Sequence, residues 1–134
     1  MSAASLSAAI AAGYRHGPEI IDGGHLERMT LGDRRLEREV LELFVRQTGL
    51  LLDRIAGAEP ALAAAAAHTL KGSARGIGAW RVARAAELLE QAAAARCGEV
   101  EIEDAIAELR AAILEAGAAI AARLTVLLGE LARG

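Results

Sequence analysis

The chain has 134 residues, enough for one domain around one core. Its hydrophobic fraction is 54%, much of it alanine, and its net charge is −3 with acids and arginines interspersed. That balance excludes a basic patch for nucleic acid and a polybasic membrane signal, and no apolar run is read as reaching the ~18 residues of a membrane span.

Aromatics are confined to Tyr14, Phe44 and Trp80, and there are two prolines. An alanine- and leucine-rich chain of this kind points to helices packed closely through small residues. Cys97 is alone, which excludes an intrachain disulfide and fits a reduced, cytoplasmic setting. The alanine and arginine content is that of a GC-rich bacterial genome, by association only.

Residues 1–18 are expected to form a tail or a weak helix, interrupted at Gly13, Gly17 and Pro18. They lack the basic n-region of a signal peptide. His16 there is read as solvent-exposed. Residues 19–134 are expected to form a single domain. Ile20, Ile21, Leu26 and Met29 predict a short helix over 23–30 that covers one end of a bundle, with His25 on its surface. Asp33 is an N-cap before Arg34. The next helix carries Leu36, Val40, Leu43, Phe44, Gln47, Leu51 and Ile55 at spacings of three and four. Glu37, Glu42 with Arg46, and Asp53 with Arg54 are assigned to its wet side. Gly57 ends it, and Pro60 opens another helix in the first turn, where proline is tolerated.

The helix over about 60–76 sorts into two faces at about 100° per residue. Leu62, Ala66, Leu70, Ser73 and Ile77 make the expected core stripe. Ala61, Ala64, His68, Lys71, Gly72 and Arg75 lie opposite. Lys71 is the only lysine in the chain. An imidazole at the centre of an outward face, flanked by small residues and cations, suits a nucleophile that another protein must reach. Lys71 and Arg75 are placed to hydrogen-bond phosphoryl oxygens with charge assistance. Gly72 costs roughly 1 kcal/mol against alanine inside a helix, which calls for a compensating reason: approach of a partner, or close packing of a neighbouring helix. The residues alone leave an ordinary exposed histidine open as well.

Gly78 closes that helix in a left-handed cap. A fourth helix follows over about 79–96, with Trp80 as a partly buried cap on the core and Ala83, Ala86, Leu88, Leu89 and Ala93 among its packing residues. The last starts near Glu101, with a seam of Ile102, Ile106, Leu109, Ile113, Ile120, Leu124, Leu127 and Leu128, and ends near Leu131. The predicted fold is all-α: an antiparallel up-down-up-down four-helix bundle with a short N-terminal capping helix. The Gly72, Gly76 and Gly78 spacing is not a phosphate loop, since lysine precedes the glycines and no strand leads in.

His68-Thr-Leu-Lys71-Gly72-Ser73-Ala74, followed by Ile77-Gly78, resembles the signature of the histidine-phosphotransfer (HPt) domain family, and every defining position is filled. The resemblance runs more loosely from about residue 20 to 128. It implies the same four-helix fold and a phosphoryl group carried on His68. It also implies two partners, the receiver domains of a hybrid histidine kinase and of a response regulator, approaching a monomer on one face. The docking face would be Ala61, Ala64, Gly72 and Arg75. No cofactor is expected on this chain. Mg²⁺ is expected in the partner receiver, because phosphoryl transfer needs a metal and no carboxylate cluster flanks His68.

A neutral imidazole must have one ring nitrogen free to attack, and a carboxylate accepting the other N–H would fix the tautomer. Antiparallel packing about Gly78 brings residues ten to twelve beyond it level with His68. Glu90 falls in that range, with Glu87 and Gln91 as alternatives. Similarity to the HPt domains of chemotaxis kinases, which carry glutamate at this spacing, favours Glu90. With no nucleotide-binding motif, the chain is not expected to phosphorylate itself from ATP. The competing readings are a scaffold bundle without phosphoryl chemistry and a histidine-kinase dimerisation domain. The latter has a charged residue directly after its histidine, where this chain has Thr69.

Overall fold

A computed structural model describes residues 19–133. The expected tail over residues 1–18, with His16, lies outside the described residues. Within them the chain is all-α, with five helices: α1 Gly23–Thr30, α2 Arg34–Ile55, α3 Pro60–Ile77, α4 Trp80–Ala94 and α5 Glu99–Arg133. The four longer helices contact one another in a ring, α2 on α3, α3 on α4, α4 on α5 and α5 on α2, while the diagonal pairs do not meet. The small α1 rests on α2 and α3.

Local chemistry sets the boundaries. Asp33 caps α2 by accepting the N–H groups of Arg35 and Leu36 at 2.9 and 3.1 Å. Pro60 opens α3 at a position whose N–H has no helical partner. Gly78 ends α3 at φ 78°, and a Cβ there would sit 2.9 Å from the Cβ of Asp22. Only glycine meets both demands at that position. Asp22 joins three elements around this turn. Its N–H donates to the Gly78 carbonyl at 2.9 Å, its side chain accepts the His25 N–H at the start of α1, and it also accepts the Trp80 indole N–H at 3.0 Å. Trp80 is thus the half-buried cap expected of it.

The buried stripe of α2 runs Glu37, Leu41, Phe44, Thr48, Leu51 and Ile55, a strict alternation of four and three. The expected stripe shares Phe44, Leu51 and Ile55 with this one but is centred about a sixth of a turn away. Leu36 and Leu43 are exposed, and Glu37, assigned to the wet side, is 2% exposed. Arg123 of α5 accounts for the difference. It donates from Nε and Nη2 to the two carboxylate oxygens of Glu37, and Arg34 adds a third bond at 3.2 Å. A buried carboxylate needs such partners. Arg38, not Arg46, is the cation paired with Glu42, at 3.7 Å.

In α3 the buried residues are Ala63, Ala66, Ala67, Leu70, Ala74 and Ile77. Leu62, expected in the core, is 63% exposed. Alanines, which a hydrophobicity count ranks below leucine, take the interior because α4 faces them with Val82, Ala83, Ala86 and Leu89. Small residues on both sides let the two axes approach closely. Leu88 and Leu128 are also exposed, while Leu89 and Leu127 are buried. His25, expected at the surface, is half-buried, edge-on to Trp80 with ring centroids 5.0 Å apart.

The helix α5 starts two residues before the expected Glu101 and ends two beyond Leu131. By length and composition it is apolar enough to cross a membrane, contrary to the sequence reading, and only 17% of its apolar window is buried. Three ion pairs hold it to the other helices: Arg123 with Glu37, Arg81 with Glu115 at 3.0 Å, and Arg34 with Glu130 at 3.5 Å.

Candidate functional site

The turn at Gly78 sets the register of the site. His68 lies ten residues before it on α3 and Glu90 twelve beyond it on α4. At 1.5 Å per residue these are comparable distances along two adjacent helices. The alanine-lined contact between α3 and α4 supplies the lateral approach. The result is a hydrogen bond of 2.8 Å between His68 Nδ1 and Glu90 Oε2. The second carboxylate oxygen, Oε1, accepts a bond of 2.7 Å from Lys71 Nζ.

These three side chains differ in exposure. The His68 side chain is 67% exposed, whereas Glu90 and Lys71 are 25% and 15% exposed. The ring stands out from the surface and its two supports lie beneath it. The Lys71 ammonium foremost, and then the His68 ring, hold the Glu90 carboxyl below its ordinary value against partial desolvation. Glu90 is therefore ionised at neutral pH and is an acceptor only. Nδ1 of His68 carries the proton of the neutral ring, and Nε2 is left with a lone pair.

The structure brings Glu90 to the ring and separates it from its alternatives. Glu87 lies 4.0 Å from exposed Arg75 and is half-buried. Gln91 is exposed on α4. Lys71 points to Glu90, a partner that the sequence reading did not assign to it. Its position four residues after Ala67 and three after His68 puts it at the edge of the α3–α4 contact. Glycine at 72 is not explained by helix packing, because a Cβ added there meets nothing within 4 Å. Ala61 is exposed, Ala64 is half-buried, and Gly72 and Arg75 are exposed on the same side of α3 as the ring.

Sequence reasoning missed an apolar border to this face. Ser73 donates to Gln47 of α2 at 2.9 Å, which turns the Gln47 side of α2 toward α3. Leu43 and Leu50 share that side and are 53% and 61% exposed. Between the helices, Leu62, Ala65 and Thr69 line a cavity of about 400 Å³ with Arg54. The signal was present as two leucines one turn from Gln47, but Leu43 was assigned to the core stripe and Leu50 was not singled out. Among the described residues no group of three or more His, Cys, Asp or Glu side chains is placed to hold a metal ion.

Comparison with known proteins agrees with this geometry. The chain aligns over 96% of its length, and 98% of the other, with the X-ray structure of a rice protein described as a histidine-containing phosphotransfer protein. The TM-score is 0.75 and the identity 18%, so the likeness is one of fold. No curated protein matches the chain. The family model for the Hpt domain matches residues 39–129, which include both His68 and Glu90 and most of the chain. The chain belongs to the Hpt domain family, the histidine phosphotransfer proteins of phosphorelays.

Proposed function

We propose that the chain takes a phosphoryl group from the aspartyl phosphate of a hybrid histidine kinase's receiver domain onto His68 Nε2 and passes it to the aspartate of a response regulator. The observation that carries this is the 2.8 Å bond from Nδ1 to a carboxylate beneath a ring that is otherwise open. In the forward step the Nε2 lone pair forms the N–P bond as the P–O bond to the aspartyl oxygen breaks, and the aspartate leaves with the electron pair. The ring gains positive charge, which Glu90 stabilises through the Nδ1–H bond. Lys71 holds Glu90 in place and balances its charge. The return step is the reverse of this, on the aspartate of the second partner.

The remaining features are read in the same frame. Mg²⁺ comes with the receiver. Both receivers use one face, centred on His68, with Ala61, Ala64, Gly72 and Arg75 on it and Leu43, Leu50 and Leu62 bordering it. Gly72 is glycine because a partner approaches there. The four long helices form an up-down-up-down antiparallel bundle, a reading supported by their short connections and ring of contacts. The chain acts as a monomer in a bacterial cytoplasm, consistent with its composition and its single cysteine.

The test is transfer from a phosphorylated receiver. Wild type should acquire a label that is acid-labile and alkali-stable, as a phosphoramidate is. His68→Gln should acquire none while keeping full helicity. A label retained in His68→Gln, or an acid-stable label in wild type, refutes the assignment.

A further inference from the structure

The outer face of α5 has no cover among the described residues. From Ala111 the exposed positions Leu114, Ala118, Ala121, Thr125 and Leu128 follow at alternating steps of three and four, and exposed Ala107 and Ala132 extend the series at both ends. These positions lie half a turn from Leu109, Ala116, Ile120 and Leu127, the residues with which α5 enters the core. The outward face of a bundle helix ordinarily carries its charges. Here the only charged residues between 111 and 129 are Glu115 and Arg123, and Arg81 and Glu37 of neighbouring helices hold them. Leu114, with no such neighbour, is 69% exposed.

Period, size and charge all point to a helix of the same sequence as the missing cover. A strict repeat of three and four keeps a seam in register with a second helix over many turns, as in a coiled coil. The series from Ala107 to Ala132 spans roughly 38 Å, and its midpoint falls between Ala118 and Ala121. An antiparallel copy of α5 turned about that midpoint sets Leu114 opposite Thr125 and Leu128 opposite Ala111, so each leucine meets a small residue. Ala118 meets Ala121, which lets the two axes approach closely. The same register brings Arg133 within two residues, about 3 Å along the axis, of Asp104 of the other copy, on the same flank of the seam. Neither side chain takes part in an ion pair among the described residues. A parallel pair would set Glu101, Asp104 and Glu108 against their own copies, and like charges oppose it.

We propose that α5 is the interface of an antiparallel homodimer whose two-fold axis passes between Ala118 and Ala121. One patch serves both copies, as a two-fold interface requires. In the ring of helices α5 is diagonal to α3, so both His68 rings face away from the contact and stay open to receivers. Each copy relays as a complete unit, which is the sense in which the chain acts as a monomer. Pairing requires the seam alone and no phosphoryl chemistry. A bilayer is the poorer occupant, because Glu101, Glu103, Asp104 and Glu108 crowd one end of the helix and repel anionic lipid.

The test is the mass of the full chain in solution. Sedimentation from micromolar to millimolar concentration should show a monomer that passes to a dimer. Ala118→Glu puts two carboxylates at the axis and should raise the dimer dissociation constant by roughly a hundredfold or more, with helicity unchanged because the position is exposed in a single copy. Arg133→Glu and Asp104→Arg should each weaken the pair several-fold, and the two together should restore it. Phosphoryl transfer to Ala118→Glu should keep the wild-type rate, since His68 lies across the bundle. A wild type that stays monomeric at millimolar concentration overturns the proposal, and so does a dimer that Ala118→Glu leaves intact. A charge exchange that fails to restore the pair overturns the antiparallel register. Binding of wild type to anionic vesicles, lost in Ala118→Glu with no dimer in either, gives the seam to a lipid surface and overturns the pairing.

Discussion

Two carboxylates at opposite faces of the bundle each bind two cations or potential cations, to different ends. Glu37 is buried, and its partners Arg123 and Arg34 come from α5 and from its own helix. Glu90 is a quarter exposed, and its partners are Lys71 and the exposed ring of His68. Both carboxyls lie below their ordinary value, Glu37 chiefly through its bond to Arg123 and Glu90 chiefly through its bond to Lys71. The difference lies in what remains unsatisfied. The Glu37 cluster closes on itself, so its energy goes into holding α2 to α5. The Glu90 cluster ends in an imidazole nitrogen with no partner among the described residues, so its energy is available to chemistry.

Substitution separates the two most widely at Glu37. Glu37→Ala leaves Arg123 charged with no partner in a half-buried position, and the bundle should lose about 3–5 kcal/mol, as broken buried pairs do. Chemical denaturation reads this directly. Replacing both partners with apolar residues of similar size, Glu37→Leu with Arg123→Met, should recover most of the loss. If the single substitution costs less than about 1 kcal/mol, the cluster behaves as a surface pair and the contrast fails.

Acid gives the same contrast without mutation. The folded-state pKa of Glu37 is depressed, so its contribution is fully present above the unfolded carboxylate value near 4.5 and is lost as pH falls through the folded value. Thermal melting between neutral pH and about pH 3 should show a fall that Glu37→Gln flattens and Glu90→Gln, at a more exposed position, flattens far less.

The effect at Glu90 should appear in the ring and the rate instead. Glu90→Ala should leave the melting temperature within a degree or two, release the His68 tautomer from the Nδ1–H form, and slow transfer by roughly tenfold to a hundredfold, the range for losing one preorganised electrostatic group. Ring-nitrogen NMR with transfer kinetics measures both. Glu90→Gln should be milder, since the amide oxygen still accepts the N–H. Lys71→Ala should resemble a partial Glu90→Ala in tautomer and rate, because Lys71 acts through Glu90. A slow rate with an unchanged tautomer in Lys71→Ala would instead put the ammonium on the phosphoryl oxygens.

The smallest effect is at Gly72. Gly72→Ala should raise stability by about 1 kcal/mol, since its Cβ enters open space in a helix interior. Transfer should be nearly unchanged by a methyl group and should fall with Gly72→Gln. A stability loss in Gly72→Ala would mean that the glycine serves the helix rather than the partner.

The sequence by itself determined the helices and the centre of the site. Capping aspartate, proline and glycine are local, and so is the period of three to four; these mark the helices to within a residue or two. The His68 to Gly78 motif is local as well, and the length of a turn and helix predicted that a residue near 90 would come level with the ring. What tertiary structure alone decided was rotation and pairing. In an alanine-rich helix many stripes are equally apolar, so Leu62 and Ala63 could not be ranked for burial without knowing that α4 presents alanines. A charge such as Glu37 reads as wet until Arg123, far along the chain, is seen to cover it. Lys71 belongs to both cases: its position beside the histidine is fixed by sequence, but its 2.7 Å bond to Glu90 exists because two helices of small residues pack closely enough for one carboxylate to reach both.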